Sequence, residues 1–243
     1  KNLNNEPDFI SRPMDWVAKV MGMVGKSPFS RVKTIHADIT ADEARALGYI
    51  KGKRKKEEVF TLLKRTTDPQ TVYKKQKLDR DDVIDITDFD IVAFMKKEMR
   101  VMLDEEIARA LLIGDGRQSD SDDKIKEDKI RPVLTDDDLY CIKAELTVEN
   151  TATDADKAKN FIRTAIKARK DYRGSGEPAL FTTEDVLTDC LLLEDLNGRV
   201  IYDTVTKLAT ALRVREIITV PVMEGCKRKD SSAKHHDVFG IIV

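Results

Sequence analysis

The fold is decided by residues 87–117, which read TDFDIVAFMKKEMRVMLDEEIARALLIGDGR. Apolar side chains recur here at spacings of three and four, the pattern of a helix with one packed face. Thr87 and Asp90 have the spacing of a capping box, and Gly114 stands where a left-handed residue would end the helix. The stretch therefore predicts a helix over 88–113, which would span roughly 39 Å at 1.5 Å per residue. Its packing positions are Ile91, Met95, Met99, Met102, Leu103 and Ile107.

The opposite face of this helix is charged, through residues such as Lys96, Arg100 and Asp104. A rod with one packed stripe and one charged stripe is typical of a scaffold rather than of a catalytic cleft.

Composition limits the classes of protein to which this chain can belong. The 243 residues include 43 Lys and Arg against 44 Asp and Glu, so the net charge is −1. No run of about 18 apolar residues occurs, so no membrane span is predicted. Cys141, Cys190 and Cys226 are odd in number and far apart, which favours reduced thiols over a disulfide framework.

Charge is segregated along the chain. Residues 51–80 are strongly basic, whereas the chain that follows is rich in Asp and Glu. A basic arm could dock on an acidic surface of another copy, although two ordinary solvated faces explain the pattern equally well. The candidate inter-subunit residues are Lys51, Lys53, Arg54, Lys55, Lys56, Lys64, Arg65, Lys74 and Lys75.

The first third of the chain predicts an arm and a ribbon. Residues 11–25 have the pattern of a short amphipathic helix that could pack on a neighbour. Strand patterns at 29–40, 59–64 and 71–78, with a turn at Asp68-Pro69, predict a long β-hairpin over 31–80 with an insert at 41–47. A two-stranded ribbon is marginal in water by itself, so it usually leans on something else.

The last part of the chain alternates helix and strand patterns. A strand is predicted at 139–148, helices at 154–172, 183–193 and 204–212, and strands at 179–181, 216–222 and 237–243. We expect 154–243 to form a compact α/β subdomain. A basic loop over 227–236 would join its last two strands, with Lys227, Arg228, Lys229, His235 and His236 as its candidate contact residues.

Motifs for chemistry are weak. The 114–117 stretch, GDGR, follows a helix and lacks the Lys-Ser/Thr ending of a phosphate loop. Adjacent Asp136, Asp137 and Asp138 favour a solvated turn over a cation site. We therefore name no catalytic, metal-binding or cofactor-binding residue, and we expect no enzyme activity. Two alternatives stay open: a metal-dependent, nucleotide-handling α/β enzyme that uses Asp136 or Asp185, and a DNA-binding module that uses the basic hairpin.

Two stretches carry a resemblance to a known family. They are VYKKQKLDRDDVIDITDFDIVAFMKKEMRVMLDEEIARALLIGDGR at 72–117 and ALFTTEDVLTDCLLLEDLNGRVIYDTVTKLATALRV at 179–214. The chain from about residue 31 onward resembles the major capsid proteins of tailed bacteriophages and prophages, with the Hong Kong phage capsid fold. The resemblance implies an α+β fold with an extended loop, a peripheral domain built on a spine helix, and an axial domain.

Mapped onto this chain, the resemblance implies four parts. These are an N-terminal arm with a short helix at 1–30, the extended hairpin loop at 31–80, the peripheral domain at 81–150 with its spine helix at 88–113, and the axial domain at 151–243. Family members continue beyond a strand like 240–243, so the axial domain is expected to be truncated here. The residues offer no basis for choosing a crosslinking pair.

The function implied by the resemblance is structural. Copies of the chain would form pentamers and hexamers of an icosahedral shell, assembled in the cytoplasm of a bacterial host and present in the virion. Scaffolding or portal proteins would be further partners, packaged DNA would be touched only non-specifically, and no membrane would be involved.

Overall fold

The computed structural model describes residues 13–24, 32–37, 45–48, 51–54, 57, 61–77, 91–138, 140–148, 153–172, 174, 176–229 and 234–243. Within these ranges the chain is a mixed α and β protein with six helices and seven strands. The helices are α1 (Asp15–Met23), α2 (Ile91–Leu112), α3 (Glu127–Ile130), α4 (Asp154–Ala168), α5 (Glu184–Leu191) and α6 (Val205–Leu212). The strands are β1 (Val32–Ala37), β2 (Leu62–Thr67), β3 (Ala179–Thr182), β4 (Glu216–Thr219), β5 (Lys227–Lys229), β6 (His235–Asp237) and β7 (Gly240–Ile242).

The centre of the molecule is a three-stranded sheet in the order β4-β3-β7. Strand β3 pairs in parallel with β4 and antiparallel with β7. All four β3 side chains are buried, which confirms the short buried strand predicted at 179–181. The buried Thr182 hydroxyl donates to the carbonyl oxygen of Phe239 at 2.7 Å, so this polar group is satisfied inside the core.

The two faces of this sheet form two apolar clusters, because successive strand side chains point to opposite sides. Phe181 and its neighbours on one face pack with α1 and the end of α2. Leu180 on the other face packs with α4, α5 and α6. The C-terminal part of α2 therefore shares a core with the sheet rather than standing apart from it.

Threonine caps begin the three helices of the second cluster. Thr153 and Asp156 form a reciprocal capping box at the start of α4. The hydroxyl oxygens of Thr183 and Thr204 accept from backbone N–H groups at the starts of α5 and α6. The predicted helices at 154–172, 183–193 and 204–212 are confirmed, although the first ends at Ala168 and continues as a 3-10 turn, Arg169–Asp171.

Helix α1 confirms the helix predicted within 11–25 and packs on its own chain. Trp16, Val17 and Val20 are buried in the same cluster as Ala108 and Leu112 of α2. The apolar face that could have required a neighbouring subunit is thus covered within the chain.

The predicted long helix is confirmed as α2, which has 22 residues; its capping pair Thr87 and Asp90 lies outside the described residues. Gly114 follows it with φ +88°, and a Cβ at that position would lie 2.6 Å from Glu127 Oε1. The left-handed backbone angle favours glycine, whereas the contact is with the end of a flexible side chain that could move.

Asp115 then anchors the loop that follows α2. Its fully buried carboxylate accepts from the backbone N–H of Ile125 at 2.7 Å, from the N–H of Arg117 at 3.0 Å and from Lys124 Nζ at 3.0 Å. Burial acts to raise the pKa of Asp115, but these hydrogen bonds and the Lys124 charge outweigh it and lower the pKa. The 114–127 loop is therefore closed around one ionised carboxylate.

Two strand predictions are wrong, and two others are shifted. Residues 71–77 form no strand, because after Asp68-Pro69 the chain leaves β2 and runs to α2, where the Gln76 amide lies 4.0 Å from Met102 Sδ. Residues 140–148 form none either, since Tyr140 is packed against the hairpin instead of a sheet edge. The strand expected at 59–64 lies at Leu62–Thr67, and the strand expected at 216–222 ends at Thr219, before a 3-10 turn over Pro221–Met223.

The basic loop expected over 227–236 is also corrected. Its ends are strands, because β5 and β6 pair antiparallel with Lys227 opposite Asp237. The insert at 41–47 lies mostly outside the described residues.

Replacement of Trp16 by Ala tests the internal packing of α1. We expect the free energy of unfolding to fall by about 3–5 kcal/mol, because a fully buried indole leaves a cavity. The control is Tyr73→Ala, since Tyr73 is 77 % exposed. Urea unfolding measures the free energy of unfolding of both variants. Equal decreases in the two variants would contradict the packing of α1 against its own chain.

Replacement of Asp115 by Asn tests the carboxylate of the loop. We expect a loss of about 1–3 kcal/mol at neutral pH, with Asp120→Asn in the same loop as an exposed control. Because the folded pKa of Asp115 is lowered from 3.8, its stabilisation is fully present above that value and is lost as pH falls through the folded pKa. Urea unfolding between neutral and acidic pH should thus show that the difference in free energy of unfolding between Asp115→Asn and the wild type becomes smaller below pH 3.8. A difference that stays constant with pH would rule out the charge as the cause.

Candidate functional site

The basic hairpin, defined as β1, β2 and the described residues between them, has mostly exposed side chains. Its strands pair antiparallel from Val32 with Thr67 to Ala37 with Leu62. The side chains from Lys33 to His36 and from Leu62 to Lys64 are all exposed, including apolar Ile35 at 51 % and Leu62 at 56 %. Only the base of the hairpin, from Arg65 onward, is partly buried.

The base is held by a cluster that we call the hairpin anchor: His36, Arg65, Asp136 and Tyr140. Arg65 Nη2 lies 2.7 Å from Asp136 Oδ2, and these side chains are 19 % and 9 % exposed. The Arg65 guanidinium carbon also lies 4.1 Å from the centroid of the Tyr140 ring, which His36 contacts edge-on at 5.5 Å. Cation–π contacts of this kind contribute about 0.5–2 kcal/mol, more when they are shielded from water.

A second ion pair lies beside the anchor. Lys129 Nζ of α3 is 3.5 Å from Asp68 Oδ2, immediately after β2. Together the two ion pairs join β2 and the residue after it to the chain that follows α2. The hairpin therefore leaves the body in a defined direction.

The predicted inter-subunit residues divide into two groups. Arg65 points into its own chain, where Asp136 neutralises it. The others that are described are exposed and have no acidic partner within 4.0 Å among the described residues: Lys51, Lys53, Arg54, Lys64, Lys74 and Lys75. Lys55 and Lys56 lie outside the described residues.

The packing positions of the long helix are less buried than their spacing predicts. Met95, Met99, Met102, Leu103 and Ile107 are all half-buried, and the side chain of Ile91 lies outside the described residues. The fully buried positions are Ala108, Ala110 and Leu112, at the C-terminal end of α2. Val92 is 60 % exposed and Val101 is 40 % exposed, so the N-terminal part of the helix has apolar surface that its own chain does not cover.

The residues of the predicted axial loop lie on the β5–β6 hairpin. Lys227 Nζ is 3.4 Å from Asp237 Oδ1 across the ladder, and Arg228 is half-buried. Lys229, His235 and His236 are exposed. This second basic surface is small, and residues 230–233 between its strands lie outside the described residues.

The described residues offer little for catalysis. No group of three or more His, Cys, Asp or Glu side chains is placed to hold a metal ion among them. Asp136, a candidate metal ligand in the enzyme alternative, is held by Arg65. Burial, with a smaller effect from Asp189, raises the pKa of the Cys190 thiol to about 12, so it stays protonated at neutral pH and is not a ready nucleophile.

Sequence reasoning found the exposed cations but missed the hairpin anchor. Arg65 is one of eleven basic residues in its region, and composition alone does not separate it from Lys64 beside it. The period-2 alternation of a strand was the available signal, because it places neighbours on opposite faces. Asp136 and Tyr140 lie about seventy residues away, and only the fold brings them to Arg65.

No family model matches the chain, and no curated protein matches it either. Among the described helices, none combines the length and the apolar content needed to cross a membrane.

Replacement of Arg65 by Ala tests the hairpin anchor. We expect amide hydrogen exchange in 32–37 and 62–67 to become at least about tenfold faster, because loss of roughly 1.4 kcal/mol of local stability has that effect. Lys64→Ala, one residue away and exposed, is the matched control and should exchange like the wild type. Equal protection in both variants would show that the anchor does not hold the hairpin.

Proposed function

We propose that this protein is a structural subunit that assembles with copies of itself. The observation that carries the proposal is the basic hairpin, which is fixed at its base by Arg65 and has exposed side chains at Lys33 to His36 and Leu62 to Lys64. Exposed Ile35, Leu62 and Leu63 give an isolated two-stranded ribbon no core of its own. A fixed arm with an apolar and cationic outer part is suited to lie across a neighbour.

The free energy gained by burying apolar side chains favours a contact in which another chain covers the hairpin. Burial of apolar surface is worth roughly 25 cal/mol per Å², so each half-exposed Leu or Ile that a neighbour covers contributes about 1–2 kcal/mol. The exposed positions on the N-terminal part of α2 add to this apolar surface. Large exposed apolar patches on soluble proteins mark interaction sites.

Charge supports the same arrangement. The hairpin presents Lys51, Lys53 and Arg54 without acidic partners among the described residues. Elsewhere, Asp189 has a raised pKa because it is partly buried and because Asp154 and Asp185 lie near it. A cation from another copy would relieve this crowding, and the opposite signs would speed encounter and fix the register.

The particular protein that we propose is the major capsid protein of a tailed bacteriophage or prophage. The support is the resemblance of 72–117 and 179–214 to that family, together with the long helix and the hairpin. In this role the chain forms pentamers and hexamers of an icosahedral shell, in the virion, around DNA that it touches only non-specifically. Scaffolding and portal proteins are the further partners of this role, and the chain itself performs no catalysis.

The direct test is expression of the protein alone and together with its neighbouring genes, followed by size-exclusion chromatography and negative-stain electron microscopy. Closed shells or rings of five and six subunits are the expected products. Persistent monomers under both conditions, from a folded protein, would contradict the proposal.

Reversal of charge on the hairpin tests the role of its cations. We expect the triple variant Lys51→Glu, Lys53→Glu and Arg54→Glu to reduce the assembled fraction at least about tenfold while the monomer stays folded, because like charges then face the acidic neighbour. The control variant carries the same charge change on the outside of α4 and the turn after it: Lys159→Glu, Lys167→Glu and Lys170→Glu.

Electron microscopy and circular dichroism of both variants give the result. Unchanged shells from the hairpin variant would contradict the docking role of its cations. Salt-sensitive DNA affinity that is lost in the hairpin variant, without any self-assembly, would instead favour a DNA-binding module.

A further inference from the structure

The chain between α5 and α6 forms a rigid turn with an apolar tip. Asp195 Oδ1 accepts from the backbone N–H groups of Asn197 at 2.7 Å and Arg199 at 3.0 Å, and Asp195 N–H donates to the Arg199 carbonyl at 2.8 Å. Gly198 completes the turn with φ +73°. Leu196 stands at the tip with its side chain fully exposed, where turns ordinarily carry polar residues.

The turn is fixed to the body at its root. Ile201 N–H donates to the carbonyl oxygen of Leu193 at 2.8 Å, and Glu194 pairs with Val200 in an isolated bridge. Leu193 itself is 2 % exposed and belongs to the cluster of α4, α5 and α6. The tip is therefore held in place before any partner arrives, which lowers the entropy cost of binding.

Apolar side chains are concentrated around this turn. Five of the fifteen exposed large apolar residues of the described structure fall between residues 192 and 205, although this is a short part of the chain. We call them the turn patch: Leu192, Leu196, Val200, Ile201 and Val205. Leu196 is fully exposed, and the exposed fractions of Leu192, Val200, Ile201 and Val205 are 68 %, 48 %, 47 % and 38 %.

Two charged side chains of opposite sign lie in the same short stretch of chain as the turn patch. Asp203 is already paired with Lys207 at 2.7 Å, and the Asp195 carboxylate is used within the turn. Glu194 and Arg199 are both exposed, and neither has an ion-pair partner among the described residues. The stretch that carries the patch thus has one negative and one positive side chain without an ion-pair partner among the described residues, before and after Leu196 in the sequence.

We propose that the turn patch binds the same patch of a second copy of this chain, with Glu194 of each copy paired with Arg199 of the other. A two-fold contact requires a self-complementary surface, and the patch supplies exposed apolar side chains together with one charge of each sign. The inference rests on the proposed self-association and adds to it a contact surface that shares no residue with the basic hairpin.

The size of the patch sets the strength of the contact. Its exposed apolar area is on the order of 500 Å², at the upper end for a monomer's largest patch but below the roughly 800 Å² per partner of a stable dimer. An isolated pair is therefore weak, and the contact becomes stable when other contacts hold the two copies in the same assembly.

The first test replaces the apolar tip. We expect Leu196→Asp to weaken self-association at least about tenfold in sedimentation velocity, because a charge then replaces the most exposed apolar side chain at the contact. Ile142→Asp is the matched control, since Ile142 is 57 % exposed on a different part of the chain. Circular dichroism and urea unfolding show that both variants fold.

The second test separates pairing between copies from pairing within one copy. Glu194→Arg alone and Arg199→Glu alone should each associate at least about fivefold more weakly than the wild type, because like charges meet at the contact. A mixture of the two variants should recover association, since one then presents only cations and the other only anions. Recovery on mixing is possible only when the charges meet between different copies.

The outcomes distinguish the two proposals. Association of Leu196→Asp equal to that of the wild type would overturn the turn patch and leave the proposed self-assembly standing, and a mixture no better than its separate variants would overturn the Glu194 to Arg199 pairing. A wild type that stays monomeric in every condition would overturn both. Binding to phosphatidylcholine vesicles that is lost in Leu196→Asp, without self-association, would assign the patch to a lipid surface and overturn the contact with a second copy.

Discussion

The structure depends on one short strand that is buried on both faces. Strand β3 has only four residues, and its alternation sends Phe181 to one apolar cluster and Leu180 to the other. Both clusters therefore need this strand, and α1 and the end of α2 are joined through it to α4, α5 and α6. A polar residue there needs an internal partner, which Thr182 finds in the carbonyl oxygen of Phe239.

From this centre toward the basic hairpin, the side chains become progressively less buried. The C-terminal end of α2 is in the core, its middle is half-buried, and the hairpin has only its base packed. Asp115 closes the loop after α2, and Asp136 in the next segment holds Arg65. Asp115 thus fixes the loop that leaves the buried end of α2, and Asp136 fixes the base of the hairpin, while the exposed apolar and cationic side chains of the hairpin remain available to partners.

The sequence predicted the helices well because their signals are local. Thr183 and Thr204 stand at cap positions, and apolar spacing identified α2, α4, α5 and α6 within a few residues of their ends. The strand predictions failed over 71–77 and 140–148 because a strand needs a partner edge, and the described residues give neither segment one. Composition identified the candidate cations, but it did not show that Arg65 is half-buried and paired with Asp136.

The sequence by itself determined the mixed α and β class, the long helix that ends at Gly114, and the separation of basic from acidic segments. These features depend on periodicity, on backbone freedom and on charge, which are properties of neighbouring residues. Only the tertiary structure decided that Trp16 is covered by its own chain, that Arg65 meets Asp136, and that Leu196 is held outward on a rigid turn. Each of these depends on contacts between residues far apart in the chain or on the exposure that such contacts leave, and local pattern does not encode either.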